Sequence, residues 1–157
     1  MISTGILTQD ATFSLDRKYR YMLLRCWDTN KPRIAFIGLN PSTANENTDD
    51  PTIRRVVQFA KDFGYGRVYM LNLFGFVTAY PEELKMCEDP IGNNNEYLDH
   101  YCGMVDAIVF AWGNFDVFGR DKEIIKKFPS AFCLGKNKNG SPKHPLYLKS
   151  NTNLTQF

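Results

Sequence analysis

The sequence predicts an α/β fold in which a mainly parallel sheet of four central strands lies between layers of helices. Four short apolar runs have the length and composition of strands that are buried on both faces. They are centred on Phe36, Met70, Val109 and Cys133. Segments with helical periodicity separate these runs, and strands that alternate with helices form parallel sheets covered on both faces. The 157 residues, of which 43% are hydrophobic, suffice for one domain of this kind.

Two segments frame the start of this sheet. Residues 19–27 are rich in aromatic side chains and partly alternate, which predicts an N-terminal edge strand or a hairpin that pairs antiparallel. Residues 33–38 form the first central strand, because a continuous apolar run ends there in a polar turn that contains Pro41.

The helix after this turn has clear start and stop signals. Asp50 is a preferred N-cap residue and Pro51 suits the first helical position, whereas Gly64 ends the segment. Apolar side chains recur at intervals of three and four residues, so one stripe faces the core. The predicted inward positions are Ile53, Val56, Val57 and Ala60.

The remaining elements follow from the same patterns. Strands are predicted at 67–73, 105–111 and 131–134, and helices at 81–84, 94–102 and 121–128. A turn at 139–142 leads to residues 144–148, which have neither helical nor strand periodicity. Residues 151–157 are polar, which predicts a flexible C-terminal tail outside a single domain of residues 1–150.

Composition argues against several classes of protein. A net charge of +2 is smaller than duplex-binding surfaces usually carry. No apolar run is long enough to cross a membrane, and residues 1–5 lack the pattern of a signal peptide. The four cysteines are widely spaced, with no histidine at zinc-ligand spacing. We therefore expect free thiols, no metal or other cofactor, and a cytoplasmic location.

The turn after the first central strand is the first candidate site. Pro41 has a fixed φ and favours an extended conformation for Asn40. The Asn40 amide would then project from a rigid position, suited to orienting a water molecule or contacting the edge of a base. The same residues also form ordinary Asx or Ser/Thr turns that only end a strand, and the sequence leaves both interpretations open.

Polar residues also follow the other predicted strands. Right-handed crossovers bring the ends of all four strands to one edge of the sheet, where ligands of α/β proteins bind. A planar polar ligand would meet an amide at each strand end, an indole and a lysine. The alternative is that strand ends are polar whatever their function. The residues concerned are Asn40, Asn72, Trp112, Asn114, Lys136 and Asn137.

Side chains outside the strand ends add two further candidates. His144 lies in a loop next to proline, where functional histidines are common. Arg54 and Arg55 open the first helix, where they either clamp a phosphate or pair with Asp49 and Asp50. The sequence contains no P-loop, no dinucleotide-binding glycine motif and no hydrolase nucleophile elbow.

Several short motifs occur together along the chain. They are RxxRY at 17–21, LNPSTA at 39–44, DDPTIRR at 49–55, NLF at 72–74, AWG at 111–113 and HPLYL at 144–148. By these motifs, residues 13–148 resemble an uncharacterised family of small bacterial and phage proteins. The chain differs from that family at Asn45, where Asp is usual, and at 76–78, where Arg-Ala-Thr is common. The family has no established activity, so this resemblance implies none.

A more distant resemblance carries functional implications. Residues 38–41, residues 71–78 with Glu83 and Leu84, and residues 144–146 are similar, in this order, to motifs of the uracil-DNA glycosylase superfamily. The first two resemble its mismatch-specific thymine/uracil branch. The resemblance implies a uracil-DNA-glycosylase-like fold, a three-layer sandwich with a parallel four-stranded central sheet.

This resemblance also implies roles for individual residues. Asn40 would position the attacking water, His144 would hydrogen-bond the base, and Leu146 would enter the stack as a flipped base leaves it. Phe74 or Trp112 would stack on the base. The expected ligand-binding residues are Pro41, Ser42, Thr43, Arg54, Arg55, Asn72, Phe74, Trp112, Asn114, Lys136 and Leu146.

The predicted site lacks an evident general base, because an amide cannot remove a proton. Either a weak mechanism that only positions water operates, or Asp49 or Asp50 lies close to the substrate. Asp49 is therefore the third candidate catalytic residue, after Asn40 and His144. Two functions remain open: hydrolysis of an N-glycosidic bond in DNA or a nucleotide, and binding of a nucleobase-containing ligand without catalysis.

Overall fold

Seven strands form one mixed sheet in the computed structural model, which describes residues 5–157. Residues 1–4, which entered the signal-peptide argument, lie outside the described residues. The strands are β1 (Thr8–Phe13), β2 (Arg20–Cys26), β3 (Arg33–Gly38), β4 (Arg67–Asn72), β5 (Ala107–Phe110), β6 (Phe132–Cys133) and β7 (Thr155–Gln156). Their order across the sheet is β1-β2-β4-β3-β5-β6-β7.

The α/β class is confirmed, but the sheet is larger and more mixed than predicted. The four apolar runs become neighbours, since β3 pairs in parallel with β4 and β5, and β5 pairs in parallel with β6. Three further pairings are antiparallel: β1 with β2, β2 with β4, and β6 with β7. Strand β2 therefore lies inside the sheet, as one arm of a hairpin whose other arm, β1, forms the edge.

Helices cover both faces of the sheet. On one face, α1 (Pro51–Asp62) packs its buried side chains, including Ile53 and Phe59, against alternate residues of β3. On the other face, α2 (Asn94–Cys102) and α3 (Arg120–Lys127) pack against the intervening residues of β3. Phe59 takes the inward position that the sequence assigned to Val57, which is only half-buried. Two 3₁₀ helices complete the fold, at Pro81–Lys85 and Pro145–Tyr147.

The start of α1 is held as its sequence predicts. The Asp50 side chain accepts a hydrogen bond from the Ile53 N–H at 2.9 Å, and Pro51 occupies the first turn. An N-cap of this kind stabilises a helix by about 1 kcal/mol. Because β3 ends at Gly38 and α1 begins at Pro51, the loop between them lies at the carboxyl edge of the sheet.

The last residues are part of the sheet, so the prediction of a flexible tail is wrong for them. Strand β7 pairs with β6, and the Phe157 ring lies 5.1 Å from the ring of Phe110. The Lys136 ammonium lies 4.7 Å from the centre of the same Phe157 ring. The polar composition of residues 151–157 concealed this, because a two-residue strand is too short to show a period.

The cysteines and the helix lengths bear on two other expectations. The four cysteines are unpaired thiols, and burial raises the pKa of Cys102 to about 12. Within residues 5–157, the helices are all too short or too polar to span a bilayer.

Candidate functional site

A cavity of ≈ 210 Å³ opens at the carboxyl ends of β3 and β4. Its walls come from both strand ends, the β3–α1 loop, the first turn of α1, the loop before the first 3₁₀ helix, and single residues of β2 and the 144–148 segment. The lining residues are Arg20, Gly38, Leu39, Asn40, Ser42, Asp50, Thr52, Ile53, Met70, Asn72, Thr78, Ala79, Pro81 and His144.

Asn40 both holds the β3–α1 loop and presents an acceptor. Its Nδ2 donates to the carbonyl oxygens of Pro41 and Thr78, at 2.9 and 2.8 Å. Both partners are acceptors, so the orientation of the amide is fixed with nitrogen towards them. The Oδ1 atom then has no hydrogen-bond partner among residues 5–157. The nitrogen of the amide therefore stabilises the turn, and the oxygen is available to a ligand.

Asn72 presents a complete amide to the cavity. It is the last residue of β4 and is only 3% exposed, yet its side chain makes no hydrogen bond within the described chain. Its amide faces the cavity and is available to a ligand there. A Cβ at position 38 would lie 2.8 Å from Asn72 Oδ1, so Gly38 keeps the space in front of this amide open.

His144 is held as a neutral donor. Its Nδ1 accepts a hydrogen bond from the Leu146 N–H at 3.1 Å. A neutral ring that accepts at Nδ1 carries its proton on Nε2. Burial lowers the pKa of His144, and the nearby charge of Asp50 only partly opposes this. The ring therefore offers an Nε2–H group for a ligand oxygen or nitrogen.

The cavity contains Asp50 and not Asp49, which corrects the assignment of Asp49 as a catalytic residue. Asp49 Oδ1 accepts a hydrogen bond at 2.9 Å from Arg25, whose side chain is fully buried. Asp50 lines the cavity and accepts hydrogen bonds from Ile53 N–H through Oδ1 and from Ala44 N–H, at 3.3 Å, through Oδ2.

Arg20 is the main residue of the cavity that sequence analysis missed. It is 4% exposed, and its hydrogen bond to a described residue runs from Nη1 to the Ala44 carbonyl at 2.9 Å. Its Nε is buried without a partner. Burial lowers the pKa of Arg20 to about 10, the charge of Asp50 raises it and that of Arg25 lowers it further. The signal available in the sequence was an arginine near each end of a largely apolar strand, Arg20 and Arg25.

An irregularity in β2 determines where Arg20 points. Thr12 pairs with Met22 and Phe13 pairs with Arg20, so Tyr21 is an extra residue, a β-bulge. Tyr21 stacks on Tyr97 of α2, with ring centres 4.6 Å apart. Arg20 is thereby directed to the face of the sheet that carries the β3–α1 loop, as its bond to Ala44 shows.

The loop between β4 and the first 3₁₀ helix was also missed as a part of the site. The Thr78 hydroxyl accepts a hydrogen bond from Tyr80 N–H at 3.0 Å and donates one to Glu83. Tyr80 stands between two lining residues and is 67% exposed. Tyr147, three residues after His144, is 88% exposed. These two are the exposed aromatic side chains that adjoin lining residues in the described chain.

The aromatic residues that were predicted to stack on a base lie in the core instead. Phe74 and Trp112 are each 2% exposed. Trp112 packs on Phe110 with ring centres 4.7 Å apart, and Phe74 belongs to the same cluster. Neither residue lines the cavity, although Trp112 borders a separate groove of ≈ 440 Å³ together with Asn114, so the structure does not place either ring against a ligand in the cavity. The residue after a buried strand often completes the core, and the sequence pattern does not separate this from a role in binding.

The two arginines that open α1 point elsewhere. Arg54 is exposed, and its guanidinium lies 3.4 Å from the Asp49 carbonyl. Arg55 donates to the Leu148 carbonyl and lies over the Phe59 ring. Neither arginine lines the cavity or forms an ion pair with a carboxylate of the described chain. The predicted pairing with the Asp49 and Asp50 carboxylates is thus absent among the described residues, whereas the phosphate clamp stays a prediction.

The remaining predicted contacts divide between the cavity and its surroundings. Ser42 lines the cavity, and the buried Pro41 contributes its carbonyl to the loop, but Thr43 is exposed outside the lining. Leu146 is half-buried and acts through its N–H on His144.

Asn114 and Lys136, which were predicted from the third and fourth strand ends, lie beyond the cavity. Asn114 lines a neighbouring groove of ≈ 380 Å³ that shares His144 with the cavity. Lys136 lies over Phe157 and lines neither space.

Comparison with known proteins places these residues within a single family match. A family model described as "Protein of unknown function (DUF1643)" matches residues 20–146. This stretch contains every residue that lines the cavity, from Arg20 to His144. Comparisons with curated proteins and with solved structures gave no match.

Proposed function

We propose that this chain, which belongs to the DUF1643 family of proteins of unknown function, binds a nucleobase of a nucleotide or of DNA in the cavity at the carboxyl edge of its sheet. The observation that carries the proposal is the set of unpaired polar groups there. Asn40 Oδ1 is an acceptor, His144 Nε2–H is a donor, and the Asn72 amide is both. Groups of this kind, fixed on strand ends, are suited to the mixed donors and acceptors on the edge of a base.

The size of the cavity supports a small planar ligand. Its ≈ 210 Å³ is below the roughly 300–1,000 Å³ typical of sites for drug-sized molecules. One ring system fits this volume better than a dinucleotide cofactor does. The shared groove beside His144 could then accommodate the sugar or the neighbouring nucleotide.

The resemblance to uracil-DNA glycosylases supports the same location. Its first motif supplies Asn40 at the end of β3, and its last supplies His144 before a 3₁₀ helix; both side chains line one cavity. By this resemblance the fold is uracil-DNA-glycosylase-like. A base that enters such a site leaves the stack of a duplex, and the exposed ring of Tyr80 or Tyr147 takes the stacking role first assigned to Phe74 and Trp112.

The arrangement is suited to cleavage of an N-glycosidic bond. Asn40 Oδ1 accepts a hydrogen bond from the attacking water and holds it at the sugar. His144 Nε2–H donates to an oxygen of the departing base, on which negative charge develops. Asp50 is a carboxylate in the lining of the cavity. In this mechanism it lies close to the sugar and stabilises the positive charge that develops there.

A second function, binding without catalysis, is favoured by one specific observation. Asp50 caps α1 and accepts backbone N–H groups with both oxygens, so its carboxylate is already engaged in holding the loop and the helix. Among residues 5–157, it is also the one carboxylate that lines the cavity. A site that recognises a base but activates no water sequesters its ligand.

Release of a free base tests the two functions. The protein is incubated with deoxyuridine, with single-stranded DNA containing uracil and with duplexes containing G·U or G·T pairs, and free bases are quantified by mass spectrometry. Release that is lost in Asn40→Ala and retained in Gln156→Ala supports hydrolysis. Binding of the same probes without release supports sequestration. Absence of both binding and release would refute the proposal.

A further inference from the structure

Arg20 has more hydrogen-bonding capacity than the protein uses. Its guanidinium carries five N–H groups, and the Nη1 bond to the Ala44 carbonyl accounts for one of them. Nε is buried without a partner. Nε and Nη2 form one edge of the planar group, the edge that binds carboxylates and phosphates through two parallel hydrogen bonds. In Arg20 this edge is not occupied by any described residue.

The charge of Arg20 is also incompletely balanced. A buried ion is strongly unfavourable unless it is paired. The four ion pairs of the described chain do not include Arg20. The nearby Arg25 is different, since it is bound to Asp49 at 2.9 Å.

The other groups that face the cavity do not neutralise the positive charge of Arg20. Asp50 acts on Arg20 only at longer range, and its oxygens are engaged by backbone N–H groups. His144 is neutral, and the Asn40, Asn72 and Thr78 side chains carry no charge. The edge of Arg20 is therefore the strongest unsatisfied donor among the groups that line the cavity.

We propose that Arg20 binds an anionic oxygen group of the ligand inside the cavity. Two sources of this chemistry are compatible with the site: a phosphate group of a nucleotide, or the ring oxygen of a base that has become an anion. The location of the ring rests on the proposed function, whereas the binding of an anion by Arg20 does not. Stabilisation of a base anion would make Arg20 a further catalytic residue of the proposed hydrolysis, because the base leaves with the bonding electrons.

Pairs of probes that differ in charge separate the two sources. Uracil and barbiturate are rings of nearly the same size, and barbiturate is an anion at neutral pH. Deoxyuridine and its 5′-monophosphate differ only in the phosphate, and inorganic phosphate tests the anion alone. Dissociation constants are measured by titration calorimetry or by chemical-shift titration at one ionic strength. Hydrogen bonds to charged groups correspond to a preference of roughly 10- to 100-fold for the charged member of a pair.

Three variants assign such a preference to Arg20. Arg20→Met removes the charge and keeps much of the volume, so the preference should disappear. Arg20→Lys keeps the charge but lacks the edge with two donors, so the preference should fall only in part; it also serves if Arg20→Met does not fold. Arg33→Met is the control, because Arg33 is exposed at the opposite end of β3. If Arg20 is purely structural, its replacement will lower the melting temperature of the protein and weaken the binding of all probes alike, so that the ratio of dissociation constants within each pair is unchanged.

Each outcome decides the proposal. An Arg20-dependent preference for barbiturate, for the monophosphate or for inorganic phosphate supports it and identifies the source. The proposal is overturned if affinities are equal within both ring pairs and phosphate does not bind. It is also overturned if the preference survives in Arg20→Met. In both cases the binding of a ring by the cavity stands. If phosphate binds through Arg20 and no ring binds, the anion site stands and the proposed function fails. If no probe binds, both are overturned.

Discussion

Replacement of Asn40 by alanine should lower stability and abolish ligand binding for separate reasons. A loop amide usually contributes little to stability, but the Asn40 Nδ2 joins two loops through the carbonyls of Pro41 and Thr78. Each such hydrogen bond contributes about 0.5–1.5 kcal/mol, so the loss should be about 1–3 kcal/mol. The Pro41 carbonyl keeps a second partner, the Thr78 N–H at 3.0 Å, which favours the lower half of that range.

The corresponding change in melting temperature is measurable. A domain of about 150 residues loses roughly 2–4 °C for each kcal/mol, so Asn40→Ala should melt about 2–12 °C lower. Thermal melts followed by circular dichroism give this shift. Binding of deoxyuridine is then measured well below both transitions, where the variant is folded. Gln156→Ala is the matched control, because its Nε2 also donates to a backbone carbonyl, that of Ala131 at 3.2 Å, far from the cavity.

Two results would refute the reasoning. If Asn40→Ala melts at a lower temperature but binds and reacts as the parent does, Asn40 is a turn-former and its free Oδ1 has no role. If instead stability is unchanged, the two hydrogen bonds do not hold the loops together. A loss of binding in Gln156→Ala would indicate that any loss of an amide affects the site through stability alone.

Two further predictions follow from single side chains. Burial lowers the pKa of His144 from its ordinary value of 6.5, so the folded state disfavours the charged ring. The stability that the neutral ring contributes should therefore be complete above pH 6.5 and be lost as the pH falls through the lowered pKa. Urea unfolding at several pH values should detect this dependence in the parent protein but not in His144→Gln. Phe157→Ala should reduce the free energy of unfolding by about 2.5 kcal/mol, because a half-buried ring loses roughly 100 Å² of apolar contact at about 25 cal/mol per Å². A change below about 0.5 kcal/mol would mean that Phe157 does not pack on Phe110.

The sequence alone was sufficient to predict those elements in which the local signals agree with the pattern of buried residues. The helix α1 was predictable because Asp50, Pro51 and the apolar stripe specify its start and its face independently. Strand β3 was found with its observed bounds, since its apolar run has sharp ends. Asn40, Asn72, Trp112 and His144 were expected to converge on one pocket, and three of them line the cavity whereas Trp112 does not.

The failures share a physical cause, which is that contacts distant in sequence decide the role of a residue. Trp112 and Phe74 looked suited to stacking, but whether a ring faces solvent depends on the layer that covers it. Asp49 and Asp50 are neighbours of the same type, and only the position of Arg25 separates the paired carboxylate from the one in the cavity. Strand β7 is too short to be recognised before its partner is known.

The bulge at Tyr21 places the side chains of the two buried arginines of β2, Arg20 and Arg25, on the same face of the sheet. Positions 20 and 25 differ by an odd number, so a regular strand would send their side chains to opposite faces. The extra residue changes this parity, and both guanidiniums reach the β3–α1 loop: Arg20 at Ala44 and Arg25 at Asn45. Deletion of one residue here would leave the pairing of β2 from Met22 onward intact while turning Arg20 away from the cavity. Such a deletion substitutes no lining residue, yet it would withdraw from the cavity the one arginine or lysine that residues 5–157 contribute to its lining.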